Sequence, residues 1–514
     1  MKQFLNKKTF LLVAVAGVMA VSMTSCRKDF LDINNNPNAV TDINVTPELI
    51  FPAAASRTAA ATASGNWTFL DNWMGYFSTA GDYAIDQEQT SYNLSTSFGT
   101  GIWTSHYDIL FDLKQVQDKA LAEHDSVLAG AAMILSVKLW QELVDVYGNI
   151  PYSQALQGAN NTTPAYDRDS TVYRSLHQVL DQAISYMHGV AQPTYATVIG
   201  GIVKAGNGTS NITQTNWIHF ANTLKLRLLI RTSEISTPNI NKTAELAKIT
   251  AEGGVLQAGE SITFNPGYDN STNKQSPFYA NYGFTPTNTD GNAIARANKF
   301  IVDTMNTLSD ARLARFFRGV GGTPTTQGGA VVGTRYGLAT GNPFGNASSK
   351  MGFGTAGSAT QNQWIFTSEE SLFLYAEAVQ RGWFTGSAAA AYNAAVTESF
   401  TRLGVPSAAT AAAAYLVTQP YTGLTSIIWQ KYLAMNSIDP LEAWCDYRRL
   451  HIPSTTTFAS ANPSRHAVGS SGLVLPNRLL YPQEEYSLNF SNVNAQGDIN
   501  KDNVFSGSKI FWQP

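Results

Sequence analysis

Two kinds of side chain in this sequence could act on a ligand: loop carboxylates, and aromatic rings interleaved with amides. Asp71, Asp82, Asp86, Glu88, Asp269 and Asp290 all fall in stretches without helical periodicity. Two carboxylates facing each other about 5 to 10 Å apart suffice for glycoside hydrolysis, and they can come from anywhere in a chain. Isolated loop acids more often cap turns or face solvent, which is the simpler reading of these six. Other catalytic patterns fail. The histidines (106, 124, 177, 188, 219, 451 and 466) are scattered, with no H-x-x-x-H pair and no cysteine at ligand spacing, so no transition-metal site is expected. Neither a G-x-S-x-G elbow nor a P-loop lysine is present. Gly352, Gly354 and Gly357 reproduce G-x-G-x-x-G, but no Val/Ile-rich strand precedes them and no helix follows, so the phosphate cradle lacks its context.

The aromatics are more informative. Trp67, Phe69, Trp73, Tyr76, Phe77 and Tyr83 fall in one irregular stretch, and Tyr268, Phe278, Tyr279, Tyr282 and Phe284 in another. Aromatic faces stack on sugar rings, while neighbouring Asn72, Asp82, Gln87, Asn281 and Asn288 could bond hydroxyls. The competing reading is that large rings pack loops onto helices. Trp73, Tyr76 and Phe77, at i, i+3 and i+4, read as a core-facing helix side, and Trp103 and Tyr107 as packing of a first hairpin. From the two stretches Trp67, Tyr83, Tyr268, Tyr282 and Phe284 are taken as the candidate stacking residues, on aromatic loop content alone.

One cysteine has a different chemistry. Lys2, Lys7 and Lys8 precede an apolar run at 10–21, and Met23, Thr24 and Ser25 lead to Cys26. The run is too short for a membrane span, which needs about 20 residues, but it suits an export signal. With Cys445 the only other cysteine, Cys26 reads as an acylation site after a lipobox-like cut, not as half of a disulfide. Residues 1–25 are therefore expected to be a lipoprotein signal and 26–52 a lipid anchor and tether, rich in Asn, Pro and Asp.

The elements that must position these residues are helical. Leu128, Ala132, Leu135, Leu139, Leu143 and Val146 form one stripe, and Met133, Val137, Trp140, Val144 and Tyr147 a second. Only a strip with Lys138, Glu142 and Asp145 is left for solvent, the pattern of a helix sandwiched between neighbours. Trp217, Ala221, Leu224 and Leu228 share a face on another helix, which carries Arg227 and Arg231 one turn apart. Thr367 with Glu370 reads as a capping box, Gly382 and Gly404 as C-terminal stops, and Ser387 and Asp439 as N-caps, the last followed by Pro440. Helical hairpins are expected at about 102–148, 169–235, 367–404 and 425–451, at irregular spacing. Long irregular stretches lie between them at 63–101, 257–291 and 319–362, and 453–514 is expected to wrap the body. Charged residues make up only 14%, net charge is −3 and no Lys/Arg cluster occurs, so nucleic acid is not a partner.

Six segments, in order, resemble the SusD/RagB family of outer-membrane nutrient-binding lipoproteins, in particular its SusD-like starch-binding branch. They are Asp29 to Asn38 with Thr46, Pro47, Glu48 and Leu49; Asp145 to Tyr152; Trp217 to Arg227; Tyr375 to Ala378 with Arg381, Gly382 and Trp383; Glu442 to Arg449; and Arg478 to Pro482 with Glu485 to Asn489. The resemblance implies a mostly α fold, with a tetratricopeptide-like hairpin scaffold over 53–514 and loop-rich insertions forming a binding face. It implies a non-enzymatic, lipid-anchored protein on the exterior of the outer membrane that captures oligosaccharide for a SusC-like TonB-dependent transporter. On the same scaffold the RagB branch implies peptide capture as the alternative, and a hydrolase is the more distant one. No cofactor is implied, and the sequence does not decide whether a structural Ca²⁺ is held. The matching Asp446, Arg448 and Arg449 read as ion-paired helix ends; ligand residues vary within the family and do not carry over by motif.

Overall fold

The computed structural model describes residues 45–193, 195–235, 240–454, 460–461, 475–505 and 507–514. Met1–Thr46 and Pro47–Pro514 are separate units; Cys26 and the expected signal segment lie outside the described residues.

The Pro47–Pro514 unit is mostly helical. Its first helix, Pro47–Thr62, starts inside the stretch read as tether. Proline at a first helical position loses no intrahelical bond, so Thr46, Pro47 and Glu48 make a start signal that the surrounding Asn-rich composition hid. Thr100–Ala122 and Ser126–Tyr147 form the next pair, with Asp125 accepting from the Leu128 N–H at 3.0 Å and Gly148, at φ +75°, ending the second helix. Asp169–Met187 and Gln214–Arg231 follow, the latter started by a reciprocal Thr213 and Asn216 capping box. Ser368–Gln380 pairs with Ala388–Arg402, and Leu424–Ala434 with Pro440–Leu450. A further helix, Ala408–Thr418, packs outside Ala388–Arg402. From Pro47–Thr62 to Ala388–Arg402 each of these helices packs on the next, and Leu424–Ala434 packs on both Ser368–Gln380 and Ala388–Arg402, giving the stacked, tetratricopeptide-like series.

The Thr367 capping box does not form. Thr367 makes no side-chain cap bond, and the Glu370 side chain that would have closed the other half of the box turns inward to Arg227 at 3.2 Å. The Ser387 and Asp439 caps are in place, accepting from the Ala390 and Glu442 N–H groups.

The strip of Lys138, Glu142 and Asp145 expected to face solvent is buried, because the Pro47–Thr62 helix and the chain's closing residues cover it. Its charges are matched. Lys138 and His106 both bond Glu142, and Asp145 accepts from Arg231, Tyr173 and the Trp512 indole. The two arginines of the Gln214–Arg231 helix join the hairpins. Arg227 bonds Gln141 and Glu370, and Arg231 bonds Asp145 and Glu442. Lys431 also reaches Glu442, while Arg449 reaches Glu377 and Asp446. Arg448 departs from the ion-pair reading: it donates to the Asp145 and Asn477 carbonyls and lies 3.6 Å over the Trp444 ring.

The closing segment wraps the scaffold, with the Leu479 N–H donating to Val146 at 3.0 Å and Trp512 fully buried. Strands are short. Gln363–Phe366, Ile262–Phe264, Val203–Ala205 and Ser210–Asn211 make one antiparallel sheet in that order. Two-stranded pairs join Phe77–Thr79 to Ala295–Ala297 and Phe317–Arg318 to Lys350–Met351.

Candidate ligand-binding face

Those last two strand pairs each tie an irregular stretch to a segment just outside such a stretch, 77–79 to 295–297 and 350–351 to 317–318. Beyond the first pair, the Ala80 N–H donates to the Ile294 carbonyl at 2.9 Å and the Gly81 N–H to Pro343 at 3.0 Å. The Gly345 N–H then donates to the Asp82 carboxylate at 3.0 Å. Three consecutive positions, 80 to 82, are thus tied to two other loops, and the apolar residues beside those ties stay in solvent: Tyr83 is 39% exposed, Ile294 49% and Phe344 65%. The Gly345 bond pulls the Asp82 carboxyl below its ordinary range, so it stands ionised at the edge of this apolar platform.

Beside the platform is a cavity of about 320 Å³, walled by Phe284, Asn288, Asp290, Arg318, Thr323, Asn346, Ser348 and Lys350 among others. Its walls are fixed by local geometry. Residues 284 to 290 close on themselves through Thr285 and Thr289. The 319–330 loop folds back so closely that a Cβ on Gly319 would sit 1.9 Å from the Gly329 carbonyl oxygen, so glycine is required there. Arg318 lies across the floor, its guanidinium 4.1 Å over the Phe284 ring and its Nε donating to the Met351 carbonyl at 2.8 Å. Burial pushes the Arg318 guanidinium below its ordinary range. Lys350 bonds Asp290 and Asn346 across the mouth.

The five sequence candidates do not form one surface. Trp67 is buried, its indole donating to the Ala61 carbonyl at 2.8 Å and its ring meeting His106 edge-on. Tyr282 is buried, its hydroxyl 2.7 Å from Thr68 Oγ1. These two rings pack loops onto helices and offer no face to a ligand. Tyr268 is half-buried against Phe264. Tyr83 is on the platform, and Phe284 lines the cavity under Arg318. Trp73, Tyr76 and Phe77 are all in the core, but not on one helix: Trp73 ends the Thr68–Trp73 helix and Phe77 begins a strand.

Ile294, Phe344, Arg318 and Ser348 were not singled out from sequence. A large apolar residue isolated among Asn, Gly, Ala and Pro, as in 292–295 and 342–346, is the signal that would have found the first two. Nothing local marks Arg318.

The acids named from sequence stand in separate surroundings, Glu88 accepting from the Ser95 N–H and Asp269 lying 3.9 Å from Lys274. Asp71, pushed up by burial with Asp439 adding to it, is enclosed in the core; Asp86 caps the Gln87–Ser91 helix; Asp290 is matched by Lys350. The glycine motif is accounted for by packing. The Gly352 and Gly354 N–H groups donate to the Phe316 and Arg315 carbonyls, and a Cβ on either would lie under 3.0 Å from the Arg315 oxygen. Among the described residues no group of three or more His, Cys, Asp or Glu side chains converges as a metal site.

Comparison with known proteins places the scaffold. A SusD-like family model, described as starch-binding and associating with the outer membrane, matches residues 37–482. Among solved structures, a chitin-binding SusD homolog from Flavobacterium johnsoniae aligns with a TM-score of 0.68 at 22% identity, over 90% of this chain and 98% of its own. A SusD/RagB family protein from Bacteroides thetaiotaomicron gives 0.70 at 21%, over 91% and 99%, and a SusD homolog from Bacteroides ovatus 0.71 at 21%, over 90% and 99%. No curated protein sequence matches the chain. The structural likeness establishes a shared fold, and the family match covers most of the sequence: the chain belongs to the SusD-like family, described as starch-binding and associated with the outer membrane.

Proposed function

We propose that this protein captures oligosaccharide on the face formed by Tyr83, Ile294, Phe344 and the Phe284 cavity, and passes it to a SusC-like TonB-dependent transporter. In this reading it is held on the outer surface of the outer membrane by a lipid on Cys26. The observation that carries the reading is the platform itself. Three large apolar side chains stay in solvent while the backbone beneath them is fixed by cross-loop hydrogen bonds. A rigid apolar surface beside a polar cavity suits a ring with one apolar face and a rim of hydroxyls.

In this reading the protein binds its ligand without cleaving it. Glycoside hydrolysis needs a carboxyl that holds its proton near neutral pH. On this face Asp82 is pushed the other way, and Asp290 is matched by Lys350. The chitin-binding relative makes chitooligosaccharides a natural first probe, beside maltooligosaccharides for the family's description. Tyr83→Ala and Phe344→Ala are each expected to weaken oligosaccharide binding by about 1 to 3 kcal/mol without lowering stability. Trp67→Ala is expected instead to destabilise the fold by about 3 to 5 kcal/mol. Calorimetric titration against a panel of oligosaccharides and peptides, with a urea melt of each variant, tests this. Unchanged affinity in both platform variants removes the site, and binding of peptides alone favours peptide capture.

A further inference from the structure

We propose that the sugar taken by the Phe284 cavity carries an anionic substituent, a uronate carboxylate or a sulfate ester, received by Arg318 and Ser348. This rests on the reading of the loop face as a glycan site and narrows it to a ligand class.

Arg318, like Arg296, Arg448 and Arg478, is a buried arginine without an ion pair among the described residues, and of these four it is the one on the wall of the Phe284 cavity. Arg227, Arg231, Arg312 and Arg449 each meet a carboxylate within 3.2 Å. Arg318 is only 3% exposed, yet among the described residues it makes no ion pair, and its Nη2 has no hydrogen-bond partner. The rest of its guanidinium is held, by the Met351 carbonyl on Nε, the Thr323 carbonyl 3.5 Å from Nη1 and the Phe284 ring beneath, so the free edge is fixed. A buried, uncompensated cation is unfavourable in a folded protein unless something meets it.

A second orphan lines the same cavity. Ser348 is 3% exposed, and its hydroxyl has no partner. An arginine fork and a hydroxyl together give N–H and O–H donors for a multi-oxygen anion, the geometry in which arginine exceeds lysine. The charge balance agrees. The cavity is walled by two cations, Arg318 and Lys350, against one carboxylate, Asp290. Lys350 and Asp290 satisfy each other, so the unmatched charge is Arg318. Asn288, Thr323 and Asn346 on the same walls suit the hydroxyls that a sugar would add. The Phe284 ring is covered by Arg318, so its part is to fix that guanidinium and not to stack on the sugar.

The test is titration of the protein with oligogalacturonides, carrageenan oligosaccharides, neutral galacto-oligosaccharides and tetraglutamate, each at low and high salt. One of the two acidic glycans is expected to bind at least tenfold more tightly than the neutral one, with affinity falling as salt rises; which of them does so distinguishes carboxylate from sulfate. Arg318→Gln is expected to remove that tenfold preference. Because Arg318 is buried, it is paired with Asp290→Asn, at a partly exposed position, which is expected to raise acidic-glycan affinity several-fold and so to widen the preference over the neutral glycan. Neutral oligosaccharides binding as tightly as acidic ones, still weakened by Tyr83→Ala, would overturn the anionic proposal and leave the glycan reading standing. Binding of tetraglutamate alone, or of no oligosaccharide, would overturn both.

Discussion

Glu142 shows how far a side chain's behaviour depends on what surrounds it. Burial alone would raise its carboxyl, but Lys138 one turn away and His106 from the neighbouring helix more than offset this and hold it at about 2. A carboxyl lowered on folding contributes stability in full above its ordinary value near 4.5, and that contribution is lost as pH falls toward about 2. At about 1.4 kcal/mol per pKa unit the contribution is on the order of 3 kcal/mol at neutral pH. Glu142→Gln is therefore expected to lower stability at pH 7 and to flatten its decline below pH 4.5. Urea midpoints measured from pH 7 down to pH 3 would show this, and parallel curves for the two proteins would refute it. The same dependence on surroundings divides the aromatic candidates. Trp67 and Tyr83 are both large aromatic residues in the same stretch, and the covering Pro47–Thr62 and Thr100–Ala122 helices decide that one is core and the other surface. Arg318 was invisible for the same reason, since its meaning lies in the partners it lacks.

At the scale of elements, local signals were legible wherever the cap and its helix lie within a few residues of each other. Asp439 with Pro440, Ser387, Gly382 and Gly404 all act as their types suggest. Thr367 with Glu370 looked equally good and failed, and its glutamate is taken by a charge 143 positions away. The Gln214–Arg231 helix is where such distant competition is greatest, its arginines tying four hairpins together. Buried pairs of this kind give little net stability when intact, but breaking one leaves an unmatched charge at a cost of about 3 to 5 kcal/mol. Arg231→Met, which strands Asp145 and Glu442, is expected to lose that much in a denaturant titration, while folded protein keeps its oligosaccharide affinity. A loss under about 1 kcal/mol would mean that the remaining partners, Lys431, Tyr173 and Trp512, suffice.

At the scale of the molecule, stacked helices make the scaffold, and loops from distant parts of the chain meet on it through cross-loop hydrogen bonds. The tether is a separate matter. Cys26 lies outside the described residues, and its lipidation is our proposal from the signal-like residues before it. Cys26→Ala is expected to move the protein from the membrane fraction to the soluble one without changing its melting temperature or glycan affinity. Retention in the membrane fraction would point to another anchor. The helical class, the signal-like start and the family were written in the sequence, because periodicity, caps and short motifs are local and survive being read in order. The solvent strip that became core, the capping box that was overruled and the choice among the aromatics were decided only by the tertiary structure. Burial and charge pairing are set by whichever residues the fold brings across the helix or loop, and sequence distance does not record them.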